Sequence, residues 1–383
     1  MMASTSSRRP LALFALAVAA CGAGIAGWTS HAMHREALRA AQSMTIETTP
    51  LSRLPEVGPG MARGFILVRH LSVGADYGLL ALAPVGRPAA PRGVARLACE
   101  RVHYARGAGL CLVAHRGAVA TYEAVLFDER LAIVRRLALP GPPSRARVSP
   151  DGRHAAFTSF IVGHAYATPG FVTRTTIVDA HTGDAIVDDL ERWPVTRDGR
   201  AFKAADFNFW GVTFEPDGEH FLATLGSGSV AWLVRGGLSE RALHVVARGV
   251  ECPSISPDGR RIAFKQLAPP TAAGRVGWRL ATMDLASHAV RVLGGETRSI
   301  DDQVEWRGNG HLLYGVADGD PSTGGEVDVW EVEVDGDAPA RRLLRFASSP
   351  VAVTAAPPRE RSVGEARPHL VVEQPVLDRV AGQ

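Results

Sequence analysis

Three stretches of the chain repeat one order of apolar and polar positions. Residues 147–157 read RVSPDGRHAAF, residues 213–224 read TFEPDGEHFLAT, and residues 251–264 read ECPSISPDGRRIAF. Each enters Pro-Asp-Gly from a short strand-like run and leaves it into a second apolar run: Ala155-Ala156-Phe157, Phe221-Leu222-Ala223 and Ile262-Ala263-Phe264. Pro150, Pro216 and Pro257 fix φ near the value required at the second position of a type I turn. Asp151, Asp217 and Asp258 can bond nearby backbone amides. Gly152, Gly218 and Gly259 can take the positive φ that sends the chain into a returning strand. Each copy therefore predicts a hairpin, and the recurrence makes the hairpin a repeat.

The spacing sets the architecture. Pro216 and Pro257 are 41 residues apart, the span of one four-stranded propeller blade. Pro150 and Pro216 are 66 apart, one blade plus an insertion, which WPVTRDGRAFKAADFNFW (193–210) supplies. Two degenerate copies, VHYARGAGLCLV (102–113) and VEWRGNGHLLYG (304–315), extend the series, and GFILVRH (64–70) adds a further strand. The pattern predicts an all-β fold, a single β-propeller of six four-stranded blades over 63–350, with five or seven blades as the neighbouring solutions.

The SPDG turn followed by an apolar strand resembles the TolB-like β-propeller family. ADFNFWGVTF (205–214), VECPSISPDGRRIAFK (250–265) and DDQVEWRGNGHLLYG (301–315) are similar in particular to TolB-like secreted proteins of actinobacteria. The resemblance covers residues 63–350 and implies that the turn joins the two inner strands of each blade. The chain departs from TolB itself at 44–62, a segment too short to supply the α/β domain that precedes the propeller there.

Composition agrees with this fold and narrows the partners. Of 383 residues 46% are apolar, enough for a large core, and 40 Gly with 25 Pro suit a turn-rich β protein. The formal charge of +3, without a basic stripe or interleaved aromatics, gives no basis for a nucleic-acid partner. The basic residues are nearly all Arg, which reads as composition. Trp210, Trp232, Trp278, Trp306 and Trp330 fall in or beside predicted strands and are expected to pack between blades.

At the N-terminus, Arg8 and Arg9 lead into LALFALAVAACGAGIAGW (11–28). This run fits a signal-anchor, a cleaved signal peptide with AVA (17–19) as the site, or a lipoprotein signal in which VAAC (18–21) makes Cys21 the lipidated residue. All three export the propeller, which places it outside the cytoplasm. Residues 1–30 are assigned to this segment, 31–62 to a juxtamembrane stalk with a short helix at 34–43, and 351–383 to a Pro-rich disordered tail. Within the tail, HLVVEQPVL (369–377) can form one extended stretch that docks on a partner or on the propeller. Cys99 and Cys111 flank the ARGAG turn and are candidates for a disulfide. The hairpin register sets them about three positions out of opposition, so geometry decides the bond. Cys252 is expected to be a buried free thiol.

Candidate chemistry is sparse. No G-x-S-x-G elbow is present, and about 35 residues after the last blade cannot form a hydrolase domain. The 13 His show no H-x-H or H-E-x-x-H pair. DGDPSTGGEVD (318–328) places Asp318 and Asp320 as in a calcium loop but lacks its glycine and terminal glutamate, so no cofactor is expected, with Ca²⁺ as the alternative. Aligning the blades on their turns instead puts Asp206, Asn208, Glu251, Asp301, Asp302 and Arg145 near the starts of the channel-lining strands. Such a mouth can bind a cation or a basic peptide. The leading expectation is a monomeric, non-enzymatic module that binds an envelope protein or peptide. The alternative is a channel-site ligand sensor or a metal-assisted, lactonase-like hydrolase.

Overall fold

The computed structural model describes residues 46–51, 64–87, 90–163, 166, 170–269, 277–317 and 326–353, together with helical residues between 13 and 30. Six β-sheets stand around one axis. From the axis outward, blade 2 runs Arg101–Ala105, Ala108–His115, Thr121–Asp128, Ile133–Leu139. Blade 3 runs Pro143–Val148, His154–Val162, Val172–Asp179, Ala185–Val187. The inner four strands of blade 4 are Asn208–Phe214, His220–Ser227, Val230–Gly237 and Ala242–Arg248. Blade 5 is Glu251–Ile255, Arg261–Leu267, Trp278–Asp284 and Val290–Val292, and blade 6 is Glu305–Arg307, His311–Ala317, Val327–Glu333 and Arg341–Leu344.

Blade 1 closes the ring. Its outer three main strands, Phe65–His70, Leu79–Pro84 and Arg92–Ala98, come from the start of the domain, but its innermost strand is Ala347–Ala352 from the end, paired antiparallel with Phe65–His70. Two blades carry extra outer strands. Thr48–Pro50 lies parallel on the edge of blade 1. The insertion after blade 3 forms the hairpin Val195–Arg197 and Arg200–Phe202, whose first strand lies parallel on the edge of blade 4.

The apolar runs are explained by burial on both faces. Leu67, Leu80 and Leu82 pack toward blade 2, with Val102, Cys111 and Val125. Ile66, Val68, Ala81 and Ala83, the alternate positions, pack toward blade 6 against Leu313 and Val329. The same arrangement repeats at the other four blade interfaces. A period of two therefore feeds two cores at once, and a strand buried on both sides reads as continuously apolar. Trp306 is buried between blades 5 and 6, and Trp330 and Trp232 lean on the inter-blade cores. Trp278 departs from that expectation and stands half-buried at the channel mouth.

The Pro-Asp-Gly turns all lie on one face, where each inner strand meets the second, and they interlock. Gly152, Gly218 and Gly259 have φ of +77°, +71° and +72°. A Cβ on Gly218 would come within 2.3 Å of Oδ2 of Asp151, in the turn of the preceding blade, and one on Gly259 within 2.9 Å of Pro216. His154 Nδ1 in turn lies 2.9 Å from the Gly218 carbonyl. The repeated turn thus joins blades as well as strands.

Cys99 and Cys111 are bridged, with Cα atoms 5.4 Å apart. Cys111 does stand opposite Val102, three positions from Cys99. The chain bends before that strand, where Cys99 N–H donates to the Gly78 carbonyl and Glu100 N–H to that of Leu112, and this swings Cys99 back over its partner. Cys252 is buried and free. Asp318, Asp320, Arg8, Arg9, the 34–43 helix and the 354–383 tail lie outside the described residues.

Candidate functional site

Inner strands begin on the face opposite the Pro-Asp-Gly turns, and their first residues converge there on the axis. The centre of this mouth is a cation, Lys265, from the second strand of blade 5. Its side chain is fully buried, and Nζ lies 2.5 Å from Oδ1 of Asp301 and 3.6 Å from Oε2 of Glu251. Arg145 donates from Nη2 to the same Asp301 oxygen at 3.0 Å and from Nε to Cys252 Sγ at 3.3 Å. Burial opposes ionisation of Asp301, but Arg145 and Lys265 outweigh it and hold the carboxyl below its ordinary range.

Aromatic rings cap this network. The Tyr166 ring lies 4.9 Å from the Arg145 guanidinium carbon and 5.0 Å from Lys265 Nζ, and its hydroxyl bonds Ser144. Burial pushes the Tyr166 phenol upward, against the pull of Arg145. Trp278 lies 4.1 Å from Lys265 Nζ on its ring face, and its indole N–H donates to Glu251 at 2.9 Å. Cation–π contacts of desolvated groups are worth about 2 kcal/mol, so the rings help to hold the buried charge.

Beneath the mouth the channel is filled. Asp302 accepts from the backbone N–H groups of Gln303 and Gly315, each at 3.0 Å. Gln303 donates to the carbonyls of Val212 and Pro253, tying blades 4, 5 and 6 together. One layer further in, Arg147 donates to Glu305 at 2.6 Å and to the Val304 carbonyl at 3.1 Å. His103 Nδ1 lies 3.0 Å from the Val148 amide nitrogen, and Nε2 lies 2.9 Å from Arg147 Nη1 and 3.4 Å from Glu305. Burial and the Arg147 charge lower the His103 pKa, so the ring is neutral at physiological pH. The remaining space is about 20 Å³, enough for about one water.

The structure therefore brings Arg145, Glu251 and Asp301 together and sets Asp302 one layer below them. Asp206 and Asn208 lie on the rim of blade 4, in the wall of the cleft that Glu251 and Trp278 also line. Asp206 accepts from Ser227 Oγ at 2.9 Å and Gly228 N–H at 2.5 Å, and Asn208 Oδ1 from Thr173 N–H at 2.8 Å. Of the four side chains 206, 208, 251 and 302, three are engaged by backbone donors, and Lys265 stands beside Glu251 where a cation would. Among the described residues, one group of three side chains has ligand atoms close enough to share a metal, Glu215, Asp217 and His220 on the turn face. Arg235 engages Glu215 from two nitrogens and His220 engages Asp217.

Two clefts flank the mouth. One, of about 680 Å³, is lined by Arg69, Arg101, Arg116, Asp301 and Ser348. The other, of about 630 Å³, has walls of Tyr166, Phe171 and Trp210 facing Trp278. Sequence reasoning missed Lys265 and Tyr166. Lys265 had a signal: it is one of two lysines in a chain rich in arginine and stands inside an apolar strand. Tyr166 is on a loop between the second and third strands of blade 3 and carries no such mark.

No protein-family model matches the sequence, and no curated protein is significantly similar to it. Solved structures do match. TolB from Acinetobacter baumannii aligns with 15% identity and a TM-score of 0.50, over 78% of this chain and 68% of that one. A putative TolB from Agrobacterium tumefaciens aligns with 12% identity and a TM-score of 0.43, over 75% and 90%. Oligogalacturonate lyase from Vibrio parahaemolyticus aligns with 8% identity and a TM-score of 0.40, over 70% and 72%. At these identities the likeness is one of fold: the chain forms a TolB-like six-bladed propeller.

Proposed function

We propose that the chain is a non-enzymatic binding module that engages a protein or peptide of the bacterial envelope through its channel mouth. The observation that carries this reading is where apolar surface is left open. Val73, Tyr77, Val119, Ile161, Val162, Val172 and Leu267 are exposed, and all lie on or beside the mouth-face loops of blades 1, 2, 3 and 5. Among the described residues, the other exposed large apolar side chains of the propeller, Ile133, Val134, Val290 and Val292, are on outermost strands. Apolar side chains grouped on one face mark interaction surfaces. The acids of the mouth are engaged by Lys265 and Arg145, which favours binding over metal-assisted hydrolysis.

Placement outside the cytoplasm rests on the N-terminal segment and on cysteine use. Leu13, Phe14, Leu16, Val18, Ile25 and Trp28 are helical and exposed, as suits a membrane-directed segment, and Cys21 is exposed and free for lipidation. No helix among the described residues is long and apolar enough to cross a membrane. The Cys99–Cys111 bond fits an oxidising compartment.

The test is a photo-reactive residue placed at Val119 or Leu267 of the full chain in producing cells, with Arg260 on the turn face as the control. A discrete protein adduct is expected from the two mouth positions and none from Arg260. Adducts of equal strength from both faces, or none from the mouth, would overturn the proposal.

A further inference from the structure

We propose that the outer edge of blade 2, strand Ile133–Leu139, is the docking site for this chain's own segment 369–374, added as a parallel fifth strand.

The precedent is in the molecule. Thr48–Pro50 lies parallel on the outermost main strand of blade 1, with Thr48 opposite Arg92, and Val195–Arg197 lies parallel on that of blade 4, with Val195 opposite Leu243. The outer edges of this propeller accept strands in one direction. Among the described residues four outer edges have no added strand. Those of blades 3, 5 and 6 are Ala185–Val187, Val290–Val292 and Arg341–Leu344, of three, three and four residues. The blade 2 edge has seven residues, and its first two, Ile133 and Val134, are 46% and 44% exposed. A long edge with unpaired backbone groups and exposed apolar side chains invites a further strand.

Charge selects the occupant. A second copy pairing antiparallel about the middle of this strand would set Arg135 and Arg136 against the same arginines, and like charges directly opposite are destabilising. Glu123 of the neighbouring strand already engages Arg136 at 2.8 Å, so Arg135 is the charge that an incoming strand with an acid would meet. HLVVEQ (369–374) has a β-forming run ending in Glu373 and is bounded by Pro368 and Pro375, which favour extended backbone before them and end the pairing. The segment lies outside the described residues.

Reach and direction also agree. The described chain ends at Val353, just past the inner strand of blade 1, where Ile66 stands opposite Ala352 on the turn face. Ile133 is on that face too, since it stands opposite Phe127, next to Asp128, which is opposite Ala108 at the first hairpin turn of blade 2. Residues 354–368 can span about 50 Å when extended, against about 20 Å across the four strands of a blade. A tail arriving from the turn face runs the same way as Ile133–Leu139, so parallel addition needs no reversal.

Hydrogen exchange of the full chain tests this. The amides of 134–139 are expected to exchange at least tenfold faster in Val371→Pro than in the unaltered chain, while those of 185–187 are unchanged. Adding a synthetic peptide of residues 366–379 to the variant restores the protection, and a peptide with Glu373→Lys restores less. Equal exchange of 134–139 in both chains would overturn the proposal. Protection that fades on dilution would also overturn it and assign the edge to a second copy.

Discussion

At the scale of single residues, buried charge decides most of what is distinctive. Lys265 is fully buried and is held by Asp301, Glu251 and two aromatic rings. Removing one partner of a buried ion pair leaves the others uncompensated, at about 3–5 kcal/mol. Asp301 is partly open to solvent and keeps Arg145, so Lys265→Met is expected to cost about 2–3 kcal/mol in urea unfolding. Lys265→Met combined with Glu251→Gln should recover part of that loss. Glu191, in the turn Leu190–Arg192 after blade 3, behaves differently. Burial, with the nearby Asp189 charge, pushes its pKa up to about 7. The unfolded chain releases this proton near 4.5 and the folded chain only near 7, so stability falls as pH rises through that window. Glu191→Gln should therefore be more stable by about 1–2 kcal/mol at pH 8 and unchanged at pH 4, read by urea unfolding at the two pH values.

At the scale of elements, the Pro-Asp-Gly turn has two duties that substitutions can separate. Gly218 needs both a positive φ and empty space beside Asp151, whereas Gly199 has φ of +72° with nothing within 4 Å of where a Cβ would stand. Gly199→Ala is expected to cost about 1 kcal/mol for backbone strain alone, and Gly218→Ala about 2–3 kcal/mol because the neighbouring turn must also move. Equal losses in thermal unfolding would show that the turns do not brace one another. The hairpins were legible in the sequence because turn chemistry is local: Pro, Asp and Gly act within four residues. The insertion was legible as extra length, but its place on the outer edge of blade 4 was not, since Val195–Arg197 pairs with a strand over 40 residues away. The mouth was half legible for the same reason. Register placed Glu251, Asp301 and Arg145 near the axis, but Lys265 enters from a second strand and Tyr166 from a loop, which alignment on the turns does not bring together.

At the scale of the whole molecule, the six blades form one closed circle of inter-blade cores, and the circle depends on Ala347–Ala352. Val351 is buried between blades 1 and 2. Val351→Asp puts an unpaired charge there and is expected to open blade 1 first. Limited proteolysis should then cut within 64–98 before any other blade, whereas simultaneous cutting throughout would show that the ring opens as a single unit. Closure also explains why blade 1 shows only the single run GFILVRH in the sequence: no one stretch of chain contains the whole blade, so none carries its full pattern.

That shared blade has a consequence for the life of the chain before it is folded. Synthesis proceeds from the N-terminus, so Phe65–His70 emerges nearly 280 residues before the strand that must cover it. For most of that interval Leu67 and its neighbours have no inner partner, and a chain stalled anywhere short of residue 347 holds five complete blades at most and an open seam. Only a chain that extends through Ala352 can seal the ring, so products truncated before that strand keep the inner edge of Phe65–His70 open.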